Sequence, residues 1–130
     1  MRLSAARLAR PDWSCVHFVA EGPSEDELTE RRIGLVRIDG GAISDNGEFL
    51  DALAVGFSFP GYFGRNWDAV DECLRDLSWL PADGYVLVVR GAEELWRRDP
   101  RLPAKLVRSW LFCAEAWARR ETPFHLVFEW

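Results

Sequence analysis

The chain has 130 residues, of which 48% are hydrophobic, 28% are charged and seven are tryptophan. A chain of this length is expected to form one domain with a core large enough to need no disulfide or metal staple. Its net charge of −5 argues against direct binding to nucleic acid and favours a basic protein as partner.

The three cysteines, Cys15, Cys73 and Cys113, show neither a CxxC motif nor metal-ligand spacing. Free thiols in an odd number suit a reducing cytoplasm, and the sequence assigns them no redox role. Residues 1–11 lack the apolar stretch of a signal peptide, and no run is long enough to span a bilayer. We therefore expect a cytoplasmic protein that does not bind membranes.

The first quarter of the chain predicts two strands. Residues 1–12 have a helical composition but end at Pro11, so we expect a short and loosely docked start. The β-branched and aromatic content of Trp13–Ala20 predicts a strand, and Ile33–Ile38 predicts a second one. Between them, Glu21–Arg32 is polar and acidic, which fits either a short helix or a loop.

The middle of the chain predicts two helices and a buried strand. Cap residues around Asp45 precede an amphipathic helix that stops near Gly56, and a second helix begins after Asn66. The apolar stripe of this second helix should face the core. A connector, Ser78–Gly84, leads into Tyr85–Val89, which is apolar without alternation and so predicts a strand covered on both faces. The stripe consists of Trp67, Val70, Cys73, Leu74 and Leu77.

The last third predicts a short helical turn over Glu93–Arg98, a long amphipathic helix from Pro103 to Arg119 and Arg120, and a final strand, Phe124–Phe128. Strands that alternate with helices imply parallel pairing through right-handed crossovers. The sequence therefore predicts an α/β fold.

Carboxylates fill the remaining circumference of the helix after Asn66. Asp68, Glu72 and Asp76 stack at i, i+4 and i+8, and Asp71 lies beside them. Like charges at this spacing disfavour the isolated helix by about 0.2–0.5 kcal/mol per pair. Periodicity alone leaves open whether these carboxylates form a solvated helix face or a recognition surface.

The segment Tyr62–Leu74, with Phe59-Pro60 before it and Trp79-Leu80-Pro81 after it, resembles the signature of the barstar family, intracellular inhibitors of secreted microbial ribonucleases. The similarity runs from about Ile33 to the C-terminus, which leaves residues 1–32 as an extension of a single barstar-like domain over residues 1–130. The resemblance implies a three-stranded parallel sheet packed by helices, to whose edge Trp13–Ala20 could add a fourth strand.

The resemblance also implies roles for individual residues. Asp68 matches an interface aspartate, Glu72 takes the place of the aspartate that enters the phosphate pocket of the enzyme, and Tyr62 matches an interface tyrosine. Gly64 and Asn66 together shape the loop that precedes the helix. With Asp71 and Asp76 as neighbouring surface charges, these residues make up the predicted partner-binding site.

The chain departs from the family pattern at several positions. Asp71 and Leu77 replace interface tryptophans, and Arg65 replaces an acidic residue. Near the end of the long helix, Glu115 matches a contact glutamate only by a shifted alignment and is followed by Arg119 and Arg120. These departures concern the identity of the target more than the inhibitory role.

Enzymatic alternatives have weaker support in the sequence. Neither His17 nor His125 belongs to a catalytic motif. Asp68 and Glu72 could form a carboxylate pair of a hydrolase or a divalent-metal site, but Asp76 lies roughly 12 Å from Asp68 at helical rise, too far to share one ion.

We therefore predict a non-enzymatic inhibitor, without metal or cofactor, of a secreted guanyl-type ribonuclease, whose cleft receives the acidic helix. An immunity protein against another toxin domain is the main alternative, and a carboxylate-based hydrolase is the other.

Overall fold

The computed structural model describes residues 2–12 and 14–130. In chain order, its elements are α1 (Ala5–Leu8), β1 (Val16–Val19), α2 (Glu25–Glu30), β2 (Ile33–Asp39), a 3-10 turn (Gly40–Ala42), α3 (Asn46–Gly56), α4 (Trp67–Asp76), β3 (Gly84–Arg90), α5 (Ala92–Arg98), α6 (Arg101–Arg119) and β4 (Phe124–Glu129).

The four strands form one parallel sheet in the order β1-β4-β3-β2. Leu87 of β3 lies opposite Val36 of β2 on one side and Leu126 of β4 on the other. The predicted parallel α/β fold is confirmed, and the N-terminal strand is the fourth strand, at the edge beside β4. Trp13, at which we predicted that strand to begin, lies outside the described residues.

Strand β3 is buried on both faces, as its unbroken apolar run predicted. Leu87 and Val89 belong to the larger hydrophobic core, whereas Val86 and Val88 belong to a smaller core on the opposite face. Helices α3 to α6 contribute to the larger core, and α1 and α2 contribute to the smaller one.

The expectation of a loosely docked N-terminal segment is wrong. Ala5 and Leu8 of α1 are buried and join Val86, Val88 and Val127 in the smaller core. This helix is short, but its apolar side chains cover a sheet face that would otherwise be open to water, which favours its docking. Of the two alternatives for Glu21–Arg32, the structure shows a helix, α2.

We predicted that the long helix begins at Pro103, but in the structure it begins earlier, at Arg101. Asp99 holds its first turn, since the Asp99 carboxylate accepts a hydrogen bond of 3.1 Å from the backbone N–H of Arg101. Pro103 is tolerated within this turn because the first four N–H groups of a helix have no partner inside the helix.

Aromatic packing fixes α6 against the sheet and α4 against α6. The ring of Trp110 stacks on that of Phe124 with centroids 3.9 Å apart, and both are buried. Trp117 donates from Nε1 to the backbone carbonyl of Leu74 in α4 at 2.7 Å. Helix α4 is thereby held beside α6, with its predicted apolar stripe facing inward and its polar face outward.

Candidate protein-binding site

The loop before α4 is anchored by aromatic side chains and exposes one of them. The ring of Phe59 packs against those of Phe57 and Phe63, with centroids 5.9 and 4.9 Å apart. Tyr62 remains 68% exposed. Partial desolvation raises the pKa of the Tyr62 phenol, and the acidic groups of Cys73, Asp76 and Glu72 raise it further. Tyr62 therefore lies at the rim of the acidic surface of α4.

Asn66 is the N-cap of α4, as predicted. Its side-chain oxygen accepts a hydrogen bond of 2.8 Å from the N–H of Ala69, and its amide donates to the carbonyl of Gly64 at 3.3 Å. The left-handed residue of the loop is Arg65, with φ of 57°, and not Gly64. A Cβ on Gly64 would meet Asn66 and Ala69 at ordinary contact distances, so the loop does not depend on glycine there.

Three carboxylates stand exposed along α4: Asp68, Glu72 and Asp76, which we call the acidic ridge. Within residues 2–12 and 14–130, no cation forms a salt bridge with any of them. Asp68 lies in the first turn, where the helix dipole favours an anion, and Asp76 accepts a hydrogen bond of 3.3 Å from the N–H of Ser78, but neither contact supplies a counter-charge. The ridge thus presents unneutralised acceptors to a partner.

We predicted Asp71 to be a surface charge, but in the structure it is half-buried. Its Oδ1 atom is buried and has no hydrogen-bond partner among the described residues. The neighbouring helix explains the difference: α6 packs close enough that the thiol of Cys113 lies 3.5 Å from the Asp71 carbonyl oxygen. Leu77 is also buried, as the left-handed C-cap of α4.

Two cations near the acidic ridge are engaged elsewhere. Arg65 donates to the carboxylate of Asp51 in α3, at 2.8 Å from Nε and 2.9 Å from Nη2. Arg75 lies within α4 itself, but its Nε donates to the backbone carbonyl of Asp71 and its guanidinium stands 5.1 Å from the ring centroid of Phe112. Neither cation neutralises the ridge.

The C-terminal half of α6 does not continue the acidic surface. Glu115 is paired with Arg119 at 2.6 Å, one turn along the helix. Arg120 donates to the carbonyl of Arg75 at 3.0 Å and stacks on Trp117, so its charge stands at the negative end of α4. Pairing of Glu115 leaves it a weaker candidate for a partner contact than the ridge.

Sequence reasoning missed the residues of α6 that border this site. Two adjoining depressions that share Asp68, Asp71 and Phe112 lie between α4 and α6, and we call them together the α4–α6 groove. Lys105, Arg108 and Phe112 were not predicted, because the groove is formed by two helices that are distant in sequence. The sole signal in the sequence for these residues was that the amphipathic helix α6 carries cations among its apolar residues. The groove is lined by Asp68, Asp71, Arg75, Lys105, Arg108 and Phe112.

The remaining titratable side chains form no second reactive centre in the described part of the chain. The rings of His17 and His125 form a hydrogen bond of 2.9 Å with each other in the sheet, away from α4. All three cysteines are free and buried, and burial raises the pKa of the Cys113 thiol to about 12. Among residues 2–12 and 14–130, no three His, Cys, Asp or Glu side chains are grouped to hold a metal ion.

A comparison with family models matches residues 33–129 to the family described as Barstar (barnase inhibitor). The matched range contains the loop, α4 and α6, and it starts at the first residue of β2. No curated protein gives a significant match to the chain. In the described part of the chain, no helix has the length and apolarity needed to cross a membrane.

Proposed function

This chain belongs to the barstar family, and from that membership we propose that it inhibits a secreted microbial ribonuclease of the guanyl type. In this proposal α4 enters the cationic cleft of the enzyme and blocks access of RNA. The partner is a basic protein, and the chain itself performs no catalysis and binds neither nucleic acid, cofactor nor metal.

The observation that carries the proposal is the unneutralised charge of α4. Elsewhere in the described structure, ten salt bridges engage carboxylates. Asp68, Glu72 and Asp76 are exposed and take part in none of them. Among the described residues, Asp26 and Glu30 of α2 are also exposed and unpaired, but the acidic ridge stacks three such carboxylates along one helix face and lies beside the exposed Tyr62 within the family-matched range. Leaving three like charges unpaired on one helix costs stability, so a gain in binding to a cationic partner explains their arrangement.

Ribonuclease chemistry explains why carboxylates suit this role. An enzyme that cleaves RNA must place cationic donors around the phosphate to stabilise the charge of the transition state. Carboxylates accept the same hydrogen bonds from arginine and lysine, in the strong charge-assisted form. Asp68 and Glu72 lie one helical turn apart and are the residues that we propose stand in for phosphate.

Tyr62 and the loop complete the proposed interface. A tyrosine that is 68% exposed beside an acidic surface offers a large apolar area with a polar tip, the kind of side chain enriched at interface hot spots. Asn66 and Gly64 hold the loop through their mutual hydrogen bond. Asp76 lies at the far end of the acidic ridge, so we assign it to long-range attraction rather than to the centre of the contact.

The same surface would serve an immunity protein against a different basic toxin, which is the second candidate. A hydrolase is disfavoured because neither histidine stands near Asp68 and Glu72 to act with them. Our proposal places the protein in the cytoplasm, where its buried free thiols stay reduced and where it would meet a ribonuclease before export.

The test is an inhibition assay with the purified chain. We would measure RNA cleavage by barnase and by secreted ribonucleases from the organism that makes this chain, with and without an equimolar amount of the protein. Stoichiometric inhibition that weakens as salt screens the charges is expected. A lack of inhibition of every ribonuclease, together with binding to another secreted toxin, would favour the immunity alternative.

A further inference from the structure

The α4–α6 groove carries charges of opposite sign on its two walls. Asp68 and Asp71 project from α4, whereas Lys105 and Arg108 project from α6. We propose that the groove is a second region of contact with the partner. In it, a hydrogen-bond donor of the partner binds Asp71, and a carboxylate of the partner binds Lys105 and Arg108. This inference rests on the proposed function and names a feature of the partner.

Asp71 supplies the first argument. Its Oδ1 atom is buried between the helices and has no partner among the described residues. A buried acceptor without a donor is costly, so such atoms in native proteins call for an explanation. Because part of Asp71 also lines the groove, a donor from a docked protein can bind the accessible part of this carboxylate and offset some of the cost.

Phe112 and Arg75 define the floor of the groove. Phe112 is 53% exposed, so part of its ring remains available to a partner. The guanidinium of Arg75 already stands over the Phe112 ring and is tied to α4 by its hydrogen bond to Asp71. The two side chains thus present a flat, preorganised surface that a partner segment can cover.

Lys105 and Arg108 determine the chemistry of that segment. Both are exposed, and within the described residues neither forms a salt bridge, although Asp68 and Asp71 line the same depression. A partner surface that was cationic throughout would be repelled by this wall of the groove. The occupant must therefore carry an acidic residue next to the cations that contact the acidic ridge.

Charge reversal tests the inference through the sign of its effect. Lys105→Glu and Arg108→Glu each make the chain more negative by two units, and general steering toward a basic partner would then strengthen binding. The inference requires the opposite result: each variant should bind about tenfold more weakly, because a direct contact becomes repulsive. The probe is the ribonuclease that the wild-type chain inhibits most strongly, with barnase among those assayed.

Two further variants complete the design. Arg31→Glu, at the exposed C-cap of α2 on the other face of the sheet, makes the same charge change away from the groove and should leave affinity unchanged or slightly higher. Asp71→Asn keeps the shape of the side chain and removes its charge. We expect it to weaken binding about tenfold without lowering the urea midpoint of unfolding, since no internal contact of the carboxylate is lost.

The outcomes separate the inference from the proposed function. If the wild type inhibits a ribonuclease but Lys105→Glu and Arg108→Glu bind no more weakly than Arg31→Glu, the inference is wrong and the proposed function stands. If Asp71→Asn also keeps wild-type affinity, the groove is not part of the interface. If the wild type inhibits no ribonuclease, both the function and the inference fail.

Discussion

Arg65 is bound by Asp51 through two hydrogen bonds, at 2.8 and 2.9 Å, that join the loop before α4 to helix α3. The pair lowers the pKa of the Asp51 carboxyl and raises that of the Arg65 guanidinium. The charge of a cation beside the acidic ridge is thereby neutralised internally. The loop can belong to an acidic recognition surface in spite of it.

Removal of Asp51 should therefore weaken the partner interaction from a distance. In the Asp51→Ala variant, Arg65 keeps its charge but loses its partner, so it opposes the approach of a cationic cleft. We expect the association rate constant at low salt to fall about threefold or more, with a smaller effect at high salt. Stopped-flow mixing with the inhibited ribonuclease measures it.

Asp83→Ala is the matched control for this prediction. Asp83 is an exposed carboxylate whose partner, Arg32, lies 3.6 Å away, so the substitution changes the net charge equally. Equal slowing by both variants would show that net charge, and not the release of Arg65, explains the effect.

The Asn66 cap links the stability of α4 to its recognition role. Asn66→Ala removes the acceptor for the Ala69 N–H and should lower the free energy of unfolding by about 1 kcal/mol. Urea unfolding followed by tryptophan fluorescence gives this value. Asn66→Asp keeps an acceptor and should retain most of the stability; an equal loss in both variants would contradict the capping role.

The stack of Trp110 on Phe124 should dominate the packing of α6. Both rings are buried and only 3.9 Å apart, so Trp110→Ala leaves a large cavity and should cost about 3–5 kcal/mol of unfolding free energy. Leu111→Ala, at the next and half-exposed position of the helix, serves as the control and should cost far less. Similar losses at the two positions would show that α6 is packed differently.

The histidine pair should make stability depend on pH. His125 donates from Nε2 to the carbonyl of Arg10 at 2.7 Å, so its Nδ1 accepts from Nε2–H of His17 at 2.9 Å and the His125 ring is neutral. Burial, and then the nearby His125, lower the pKa of His17 from 6.5 to about 4. Burial also lowers the pKa of His125.

The sign of the pH effect follows from these shifts. Between pH 6.5 and about 4 the unfolded chain binds more protons than the native protein, so the free energy of unfolding should fall as the pH is lowered through this window. We expect a loss of about 1–2 kcal/mol, after allowance for solvent screening of the partly exposed His17 ring.

The variant His17→Gln keeps a donor for His125 and cannot titrate. Urea midpoints measured from pH 7 to pH 4 should decline less in His17→Gln than in the wild type. Parallel declines in the two proteins would show that the histidine pair is not the cause. Carboxyls with lowered pKa values, such as Asp51 and Asp99, lose their stabilising effect as the pH falls below about 5, and they do so equally in both proteins, so the comparison of the two cancels their effect.

Local patterns in the sequence were sufficient to predict most elements and the acidic ridge. The spacing of Val70, Cys73 and Leu74 predicts which face of α4 is buried, because helical periodicity alone determines it. Asn66 is identifiable as the cap from its residue type and position. Parallel pairing follows from the alternation of strands and helices.

Contacts between distant segments could not be predicted in this way. The half-burial of Asp71 depends on how closely α6 approaches, and the neutralisation of Arg65 depends on a residue 14 positions away. Likewise, His17 meets His125 only because β1 pairs with β4. These relationships require the tertiary arrangement, and they decide which charges are available to a partner.

The central claim is that Asp68 and Glu72 bind the active-site cations of a ribonuclease. The most direct measurement is the dissociation constant of the complex for the single variants Asp68→Ala and Glu72→Ala. The control is the double variant Asp26→Ala with Glu30→Ala, which removes two exposed acids at the same i, i+4 spacing from α2.

Each substitution in α4 should cost about 2–5 kcal/mol of binding free energy, the size typical of truncating one partner of a buried, hydrogen-bonded charge pair. The fold should be unchanged, the urea midpoint of Glu72→Ala should be no lower than that of the wild type because a like-charge repulsion is relieved, and the control should bind like the wild type. Wild-type affinity in both α4 variants would contradict the account.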